Sequence, residues 1–277
     1  MATLRELRKR LRSVKSTGAL AGAMKTVSTA KYSRLSSAVS AGEEYANCCE
    51  TLAALLGGLE INSAPQENPR PDVPELYVLF SGNRGLCGGY NSELFAYFSD
   101  LRKTLPGSCL FGACGRTARE YCREKGIDLF CEFDIPDIPS FADARRISDH
   151  FRGLYSDGAV SKIVFVFQKF ENMLKQTPSC SVFLPTESEK TACGDEYIFV
   201  PDRETVAESA LPVCFDEKAY SHLLKCASGA QAATLMAMRA AYDNAGATAT
   251  SLETAINRRR QTEVTAGVIE TSSDFYK

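Results

Sequence analysis

Helical periodicity dominates both ends of the chain, whereas short apolar segments alternate with polar ones in its middle. Near the start, apolar residues recur at spacings of three and four, which is typical of one face of an amphipathic helix: Leu4, Leu7, Leu11 and Val14, continued by Leu20, Met24, Val27 and Leu35. Proline is absent between Thr3 and Leu56. A helix of that extent would be about 80 Å long at ~1.5 Å per residue, and we expect it to pair with another helix.

The last part of the chain offers the partner. Its apolar positions step by three and four in the heptad pattern of a coiled-coil seam: Leu235, Met238, Tyr242, Ala245, Ala249, Leu252 and Ile256. Pro212 is the sole proline after residue 202. An ordinary helical-bundle core remains an alternative, but both ends lack the turn signals that a compact bundle needs. The predicted seam therefore joins these seven positions to Leu7, Leu11 and Val14.

The middle of the chain predicts alternating strands and helices. Strands are expected at 76–80, 109–111, 127–133, 162–167 and 180–184, with helices at 91–103, 115–125 and 141–155. This order is typical of a Rossmann-like α/β domain with a mainly parallel sheet. The expected organisation is an N-terminal coiled-coil helix over 1–58, an α/β domain over 74–203 and a C-terminal coiled-coil helix over 205–277. Loops are predicted at 62–74 and 185–196.

Composition excludes several classes of protein. The 277 residues carry 32 Lys and Arg against 34 Asp and Glu, a net charge of −2 that gives no overall electrostatic attraction to nucleic acid or an anionic membrane. Two histidines and eleven cysteines without a CxxC pair favour neither a metal site nor a disulfide framework, and they indicate a reducing cytosol. The sequence contains neither a membrane-spanning apolar run nor the apolar stretch of a signal peptide, so direct membrane insertion is not expected.

Glycine-rich turns follow the first two predicted strands, where α/β sheets often bind ligands. Residues 81–91 and 112–115 lack both the GxxxxGK[ST] and the GxGxxG spacings of phosphate-binding loops, which favours a role in shaping the backbone. Cys87 has no neighbouring histidine to activate it, and a small buried thiol is the favoured interpretation. The carboxylates of Glu132, Asp134 and Asp137 are interpreted as a solvated strand end rather than a metal site.

Positive charge is concentrated locally despite the near-neutral total. One concentration runs from Arg5 to Lys15, and the other is Arg258 to Arg260, where the heptad pattern stops. Each could be a solvated face or could reach carboxylates of another subunit, and the pattern leaves both interpretations open.

Three segments carry a resemblance to a known family. Residues 7–17 (LRKRLRSVKST) with 23–31 (AMKTVSTAK), residues 83–91 (NRGLCGGYN), and residues 236–245 (MAMRAAYDNA) with 257–265 (NRRRQTEVT) look like its N-terminal helix, its loop after the first strand and its C-terminal helix. The chain resembles the gamma subunit of F-type ATP synthase over essentially its whole length.

The resemblance implies a noncatalytic central rotor shaft without a cofactor or active site. Its partners would be a hexamer of alpha and beta subunits, the epsilon subunit and the membrane c-ring, on the cytoplasmic face of a bacterial plasma membrane. It would couple proton-driven rotation of the ring to ATP synthesis, or ATP hydrolysis to the reverse rotation. Carried over by position, the contacts with the beta subunits would be Met24, Arg84, Cys87, Arg260, Gln261 and Thr265.

Departures from the family pattern keep two alternatives open. Asn83, Ala230 and Thr234 replace the usual acidic and basic residues, and residues 271–277 lack the usual small apolar tail. A diverged, nonrotary coiled-coil scaffold is one alternative. The other is a small-molecule α/β enzyme that would bind its substrate near Gly82 to Asn91.

Overall fold

The computed structural model describes residues 3–56, 73–185 and 197–274. Two long helices enclose an α/β region in chain order: α1 (Leu4–Leu56), β1 (Glu75–Phe80), α2 (Tyr90–Thr104), β2 (Leu110–Cys114), α3 (Arg116–Glu124), β3 (Cys131–Phe133), α4 (Phe141–Ser156), β4 (Lys162–Phe170), β5 (Gln176–Leu184) and α5 (Arg203–Asp274). The predicted fold class, helical ends around a mainly parallel sheet, is confirmed. Among the described helices, none combines the length and the hydropathy needed to span a membrane.

The five strands form one sheet in the order β3-β2-β1-β4-β5. Neighbouring strands are parallel except for β5, which runs antiparallel to β4. Tyr77 of β1 lies between Phe111 and Val164, which places β1 at the centre of the sheet. The carboxyl ends of β1, β2 and β3 therefore meet at one edge, and the loops that follow them are neighbours.

The contacts of the chain form two compact units. The first consists of the chain up to Thr29 and from Thr234 onward, and the second is Ala30–Ala233. Both boundaries fall inside α1 and α5, so each long helix contributes one segment to each unit. The domain limits predicted near residues 58, 74 and 205 stay predictions.

The second unit buries both faces of its sheet. Alternate residues of β1 point to opposite sides. On one side Leu76, Val78 and Phe80 pack with α4 and with segments of α1 and α5. On the other, Tyr77 and Leu79 pack with α2 and α3. The start of α4 is fixed by a capping box, in which Ser140 and Asp143 satisfy each other's backbone N–H groups.

Several predicted elements need correction. The strand expected over 127–133 is reduced to β3, the second strand continues to Cys114, and β4 and β5 extend to Phe170 and back to Gln176. Pairing supplies these extensions, because β5 lies along β4 up to the pair Phe170 with Gln176 despite its polar composition. The predicted loops at 62–74 and 185–196 lie, apart from their ends, outside the described residues.

The apolar stripe predicted for α1 is wrong at Leu20 and Val27, whereas Leu35 is fully buried as expected. Leu20 and Val27 are exposed, with 61% and 53% of their surface accessible. The buried positions in the same segment are Gly18, Ala21 and Ser28, which continue the spacing of four and three from Val14. Small residues are buried here because they let a neighbouring helix approach, although they contribute little hydrophobic signal.

Candidate partner-contact surfaces

The first unit is an antiparallel pair formed by the segments of α1 and α5 that it contains. A Cβ atom on Gly18 would lie 3.1 Å from the Cβ of Ala245, and one on Gly22 would lie 3.1 Å from the ring of Tyr242. Closer to the start of α1, Lys15 forms a 2.6 Å ion pair with Glu253. Partner positions on α5 thus rise as those on α1 fall, as the predicted antiparallel arrangement requires.

The predicted seam residues differ in burial. Leu235, Met238 and Leu252 are buried, whereas Leu7, Leu11, Val14, Ala245, Ala249 and Ile256 are half-buried. Tyr242 keeps 46% of its surface exposed, but its ring lies against Gly22 and carries the Lys25 ammonium 4.7 Å from its centroid. The two helices therefore approach closely, with small residues and one aromatic ring packed between their backbones.

Beyond the Lys15–Glu253 ion pair, both basic segments lie toward the same end of the helix pair. On α1, Arg5, Arg8, Lys9, Arg10 and Arg12 are all exposed. On α5, Arg258 and Arg260 are exposed, and Arg259 forms an intrahelical ion pair with Glu263 at 3.3 Å. This end of the pair therefore presents a positive surface to solvent, suited to carboxylates of another chain.

The residues suggested as beta-subunit contacts on these helices are accessible. Arg260, Gln261 and Thr265 are exposed on α5, where the hydroxyl of Thr265 donates a 2.9 Å hydrogen bond to the carbonyl of Gln261. Met24 on α1 is half-buried. Their role in binding stays a prediction.

A second candidate surface is the β1–α2 loop, residues 82–89. Its tip exposes Arg84, whose side chain is 69% accessible, and Leu86, which is 62% accessible. Leu86 has a φ of 62°, an uncommon left-handed conformation for a non-glycine residue. The contacts carried over from the family, Arg84 and Cys87, lie on either side of it, and the exposed apolar side chain adds Leu86 as a candidate contact residue.

Cys87 lies beneath this tip and is only 5% exposed, in a buried cluster with Tyr90 and Ala230. Burial raises the pKa of the Cys87 thiol, although backbone hydrogen bonds offset part of the effect. The Nδ2 of Asn91 donates to the Arg84 carbonyl at 3.4 Å and contacts the Cys87 sulfur at 3.3 Å. Any contact made by this loop would therefore use Arg84 and Leu86, with Cys87 as internal support.

Asp137 departs from the prediction of a solvated strand end. Its side chain is 19% exposed and accepts a hydrogen bond from Lys31 of α1, which is 106 residues away in the chain. Although burial alone would raise its pKa, the Lys31 ammonium, the Arg84 guanidinium and the Asn83 amide hold the pKa of this carboxyl below its usual value. The other two carboxylates of the group, Glu132 and Asp134, form ion pairs with Arg119.

Side-chain oxygens of the protein already occupy the N-terminus of α3 at the carboxyl edge of the sheet. The Oγ of Ser81 accepts the Ala118 N–H of α3 at 2.8 Å, and the Oδ1 of Asn83 accepts the Arg116 N–H at 3.1 Å. At α2, a Cβ on Gly89 would lie 2.5 Å from a carboxylate oxygen of Glu93. At α3 a phosphate group would have to displace the Ser81 and Asn83 oxygens, since these accept N–H groups with which a helix N-terminus binds anions.

Gly115 permits the close approach at α3. Its φ is 96°, and a Cβ atom there would lie 2.5 Å from the Ser81 carbonyl oxygen. Within the described ranges, no group of three or more His, Cys, Asp or Glu side chains is placed to hold a metal ion.

Comparison with known proteins agrees with these features. The family model described as ATP synthase matches residues 3–273. The chain is 29% identical to the ATP synthase gamma chain of Desulfitobacterium hafniense and 31% identical to that of Desulforamulus reducens, with 98% of this chain and 97% of each relative covered. Its fold is similar to a chain of the Euglena gracilis mitochondrial ATP synthase rotor, with a TM-score of 0.66 and 17% identity over 94% of this chain and 98% of that one.

Because the family match spans nearly all of its length, the chain belongs to the ATP synthase family. Its curated relatives from bacteria are gamma chains, and its function is that of the central-stalk subunit of an F-type ATP synthase.

Proposed function

We propose that this chain is a noncatalytic rotor, which turns inside a hexamer of alternating alpha and beta subunits. The observation that carries the proposal is the antiparallel helix pair, whose seam brings Gly18 against Ala245 and Gly22 against Tyr242. Such a pair is held along its length by side-chain packing, and it leaves most of its outer surface available to surrounding subunits. It can therefore transmit a torque applied at one part to contacts at another.

The coupling would operate by differential contact. The helix pair would face different beta subunits as the chain turns. Its predicted contacts are Met24 and, toward the positive end, Arg260, Gln261 and Thr265. A beta subunit whose conformation makes better contact with the facing surface is stabilised in that conformation. Rotation would thus shift each beta subunit in turn among states of different nucleotide affinity. ATP hydrolysis would drive rotation of the chain in the reverse direction.

Two features of the described residues support a noncatalytic role. The N-terminus of α3, at the carboxyl edge of the sheet, already donates to the Ser81 and Asn83 oxygens, which would compete with a ligand phosphate. The Cys87 thiol is buried and its pKa is raised, which disfavours the reactive thiolate. Both features weigh against the alternative of a small-molecule enzyme that would use the loop from Gly82 to Asn91.

The remaining partners follow from the family. We propose that the α/β region binds the epsilon subunit and the c-ring, and that the chain lies at the cytoplasmic face of a bacterial plasma membrane through these partners. The division into a shaft (1–58 and 205–277) and an α/β domain (74–203) is part of the same proposal. The β1–α2 loop would approach the lower face of a beta subunit through Arg84 and Leu86.

Reconstitution tests the proposal directly. The purified chain should show no ATPase activity of its own, and mixing it with alpha and beta subunits should produce ATP hydrolysis and rotation of a bead attached to the chain. Turnover by the isolated chain would overturn the noncatalytic role. Copurification and hydrolysis without rotation would instead favour the nonrotary scaffold.

The contact surface can be tested with a matched pair of substitutions. Arg260→Gln removes a charge from the proposed contact, whereas Arg123→Gln removes an exposed charge from α3. We expect Arg260→Gln, but not Arg123→Gln, to weaken assembly with alpha and beta subunits. The weakening should become smaller as the salt concentration rises, because salt screens the lost charge interaction. Equal effects of the two substitutions would contradict the assignment of this surface.

A further inference from the structure

Asp137 connects three parts of the second unit that are distant in sequence. Its carboxylate accepts a hydrogen bond from Lys31 of α1 and lies 3.5 Å from the Nε of Arg84. Its other oxygen lies 3.5 Å from the Nδ2 of Asn83. The segment between β3 and α4 is thereby joined both to α1 and to the β1–α2 loop.

Asn83 adds a second attachment at the base of the loop. Its Nδ2 donates to the carbonyl of Ile135, and its Oδ1 accepts the Arg116 N–H. The base of the loop is therefore fixed by hydrogen bonds that the Asn83 side chain both donates and accepts. The orientation of the exposed Arg84 side chain has a different origin, because Asp137 is the carboxylate that the structure pairs with it.

We propose that Asp137 is a positioning residue, which holds the tip of the β1–α2 loop against α1 so that Arg84 and Leu86 are presented to a partner subunit in a fixed orientation. The inference rests on the proposed contact between this loop and a beta subunit. Asp137 itself would not touch the partner, since its side chain is 19% exposed beneath the much more accessible Arg84.

The ion pair between Asp137 and Lys31, which anchors the carboxylate, differs from an ordinary surface ion pair. Exposed pairs contribute little because water screens them, but the Asp137 and Lys31 side chains are only 19% and 24% exposed. Lys31 places a positive charge against the carboxylate even when Arg84 moves away, so Asp137 can remain ionised in place. The carboxylate therefore stays in place as the charge that orients Arg84.

Trypsin cleavage of the full-length chain measures the freedom of the loop, because trypsin cuts after Arg84. Asp137→Asn keeps the shape of the side chain and removes its charge, and it should accelerate cleavage between Arg84 and Gly85 by about fivefold. Asp137→Glu should restore most of the protection. Asp134→Asn, a neighbouring carboxylate that pairs with Arg119 instead, is the matched control and should leave this cleavage unchanged.

Hydrogen exchange guards against a general loss of folding in Asp137→Asn. Arg84→Gln changes only an exposed side chain, and it should accelerate amide exchange over residues 85–89 by a similar factor while the exchange of β1 and β4 stays unchanged. A wild-type cleavage rate in Asp137→Asn together with wild-type exchange in Arg84→Gln would overturn the positioning role. So would an equal effect of Asp134→Asn.

Assembly separates this inference from the proposed function. With alpha and beta subunits, Asp137→Asn should require about fivefold more chain than wild type for half-maximal ATP hydrolysis. If wild type itself fails to support hydrolysis, the proposed function is wrong, and the cleavage assay still decides whether Asp137 holds the loop. If Asp137→Asn loosens the loop yet assembles like wild type, the loop is not positioned for a partner.

Discussion

Leu252 offers a sharp test of the helix pair in the first unit. It belongs to the predicted seam and is 8% exposed, although α5 is largely solvated on both sides of it. Leu252→Asp places a carboxylate at this position without changing the backbone. Ala255→Asp, three residues further on, places the same side chain on the exposed face of the same helix and serves as the control.

The expected cost follows from burial. A fully buried leucine side chain contributes roughly 1.5–3 kcal/mol through removal from water, and Leu252 retains nearly all of this. Asp adds up to about 0.7 kcal/mol through its lower helix propensity, and its polar group is partly desolvated. The free energy of opening the helix pair should therefore fall by about 3 kcal/mol in Leu252→Asp, but by only about 0.7 kcal/mol in Ala255→Asp.

Amide hydrogen exchange of the full chain measures this opening locally. A loss of 3 kcal/mol should accelerate exchange on the order of 100-fold over residues 11–18 and 245–256, because each ~1.4 kcal/mol is a factor of ten. Exchange in the sheet should be unaffected. In the assembled enzyme the same variant should impair ATP-driven rotation. Equal exchange in Leu252→Asp and Ala255→Asp would refute the assignment of Leu252 to the seam.

Three further outcomes are expected. Gly246→Ala adds a methyl group to open space and should stabilise the helix pair by up to about 1 kcal/mol, whereas in Gly18→Ala the crowding of the new methyl group against Ala245 should cancel this gain. Equal free energies of opening in the two variants, measured by hydrogen exchange, would contradict the close approach of the helices. Gly115→Ala should destabilise the second unit by about 3 kcal/mol or more in urea unfolding, because φ is 96° and the new Cβ would clash with the Ser81 carbonyl oxygen. An unchanged urea midpoint would argue against this close approach between Gly115 and Ser81. Burial, with smaller effects from Lys225 and Lys218, lowers the pKa of His222 to about 3. Below pH 6.5 the unfolded chain therefore binds a proton that the folded chain does not, and the free energy of unfolding falls as the pH falls. His222→Phe should remove up to about 1.4 kcal/mol per pH unit of this loss between pH 6.5 and 5, and identical pH profiles of wild type and variant would refute the expectation.

The sequence predicted the elements whose signal is local. The heptad on α5 placed Leu235, Met238 and Leu252 at buried positions, and the apolar run of β4 identified its strand. On α1 the same reasoning failed at Leu20 and Val27, because the true contact uses Gly18 and other small residues that a hydrophobic pattern does not register. Pro212 lies inside α5, where one lost backbone hydrogen bond is tolerated beside the buried Leu211, Cys214 and Phe215.

The candidate surfaces were less predictable for a related reason. Exposed charges such as Arg260 can be identified from sequence, but Asp137 was interpreted as solvated because its partner Lys31 is 106 residues away. The outward orientation of Leu86 depends on a backbone angle that no side-chain pattern encodes. Contacts between distant segments and strained loop geometry require coordinates.

The oxygens of Ser81 and Asn83 at the start of α3 also bear on how the enzyme receives metabolic information. A helix N-terminus that is satisfied by its own chain gives a free nucleotide little to gain at that position. A change in the concentration of ATP or ADP should then leave the start of α3 unaltered. In the proposed rotor, the binding of nucleotide and the transmission of torque would thus belong to separate polypeptides.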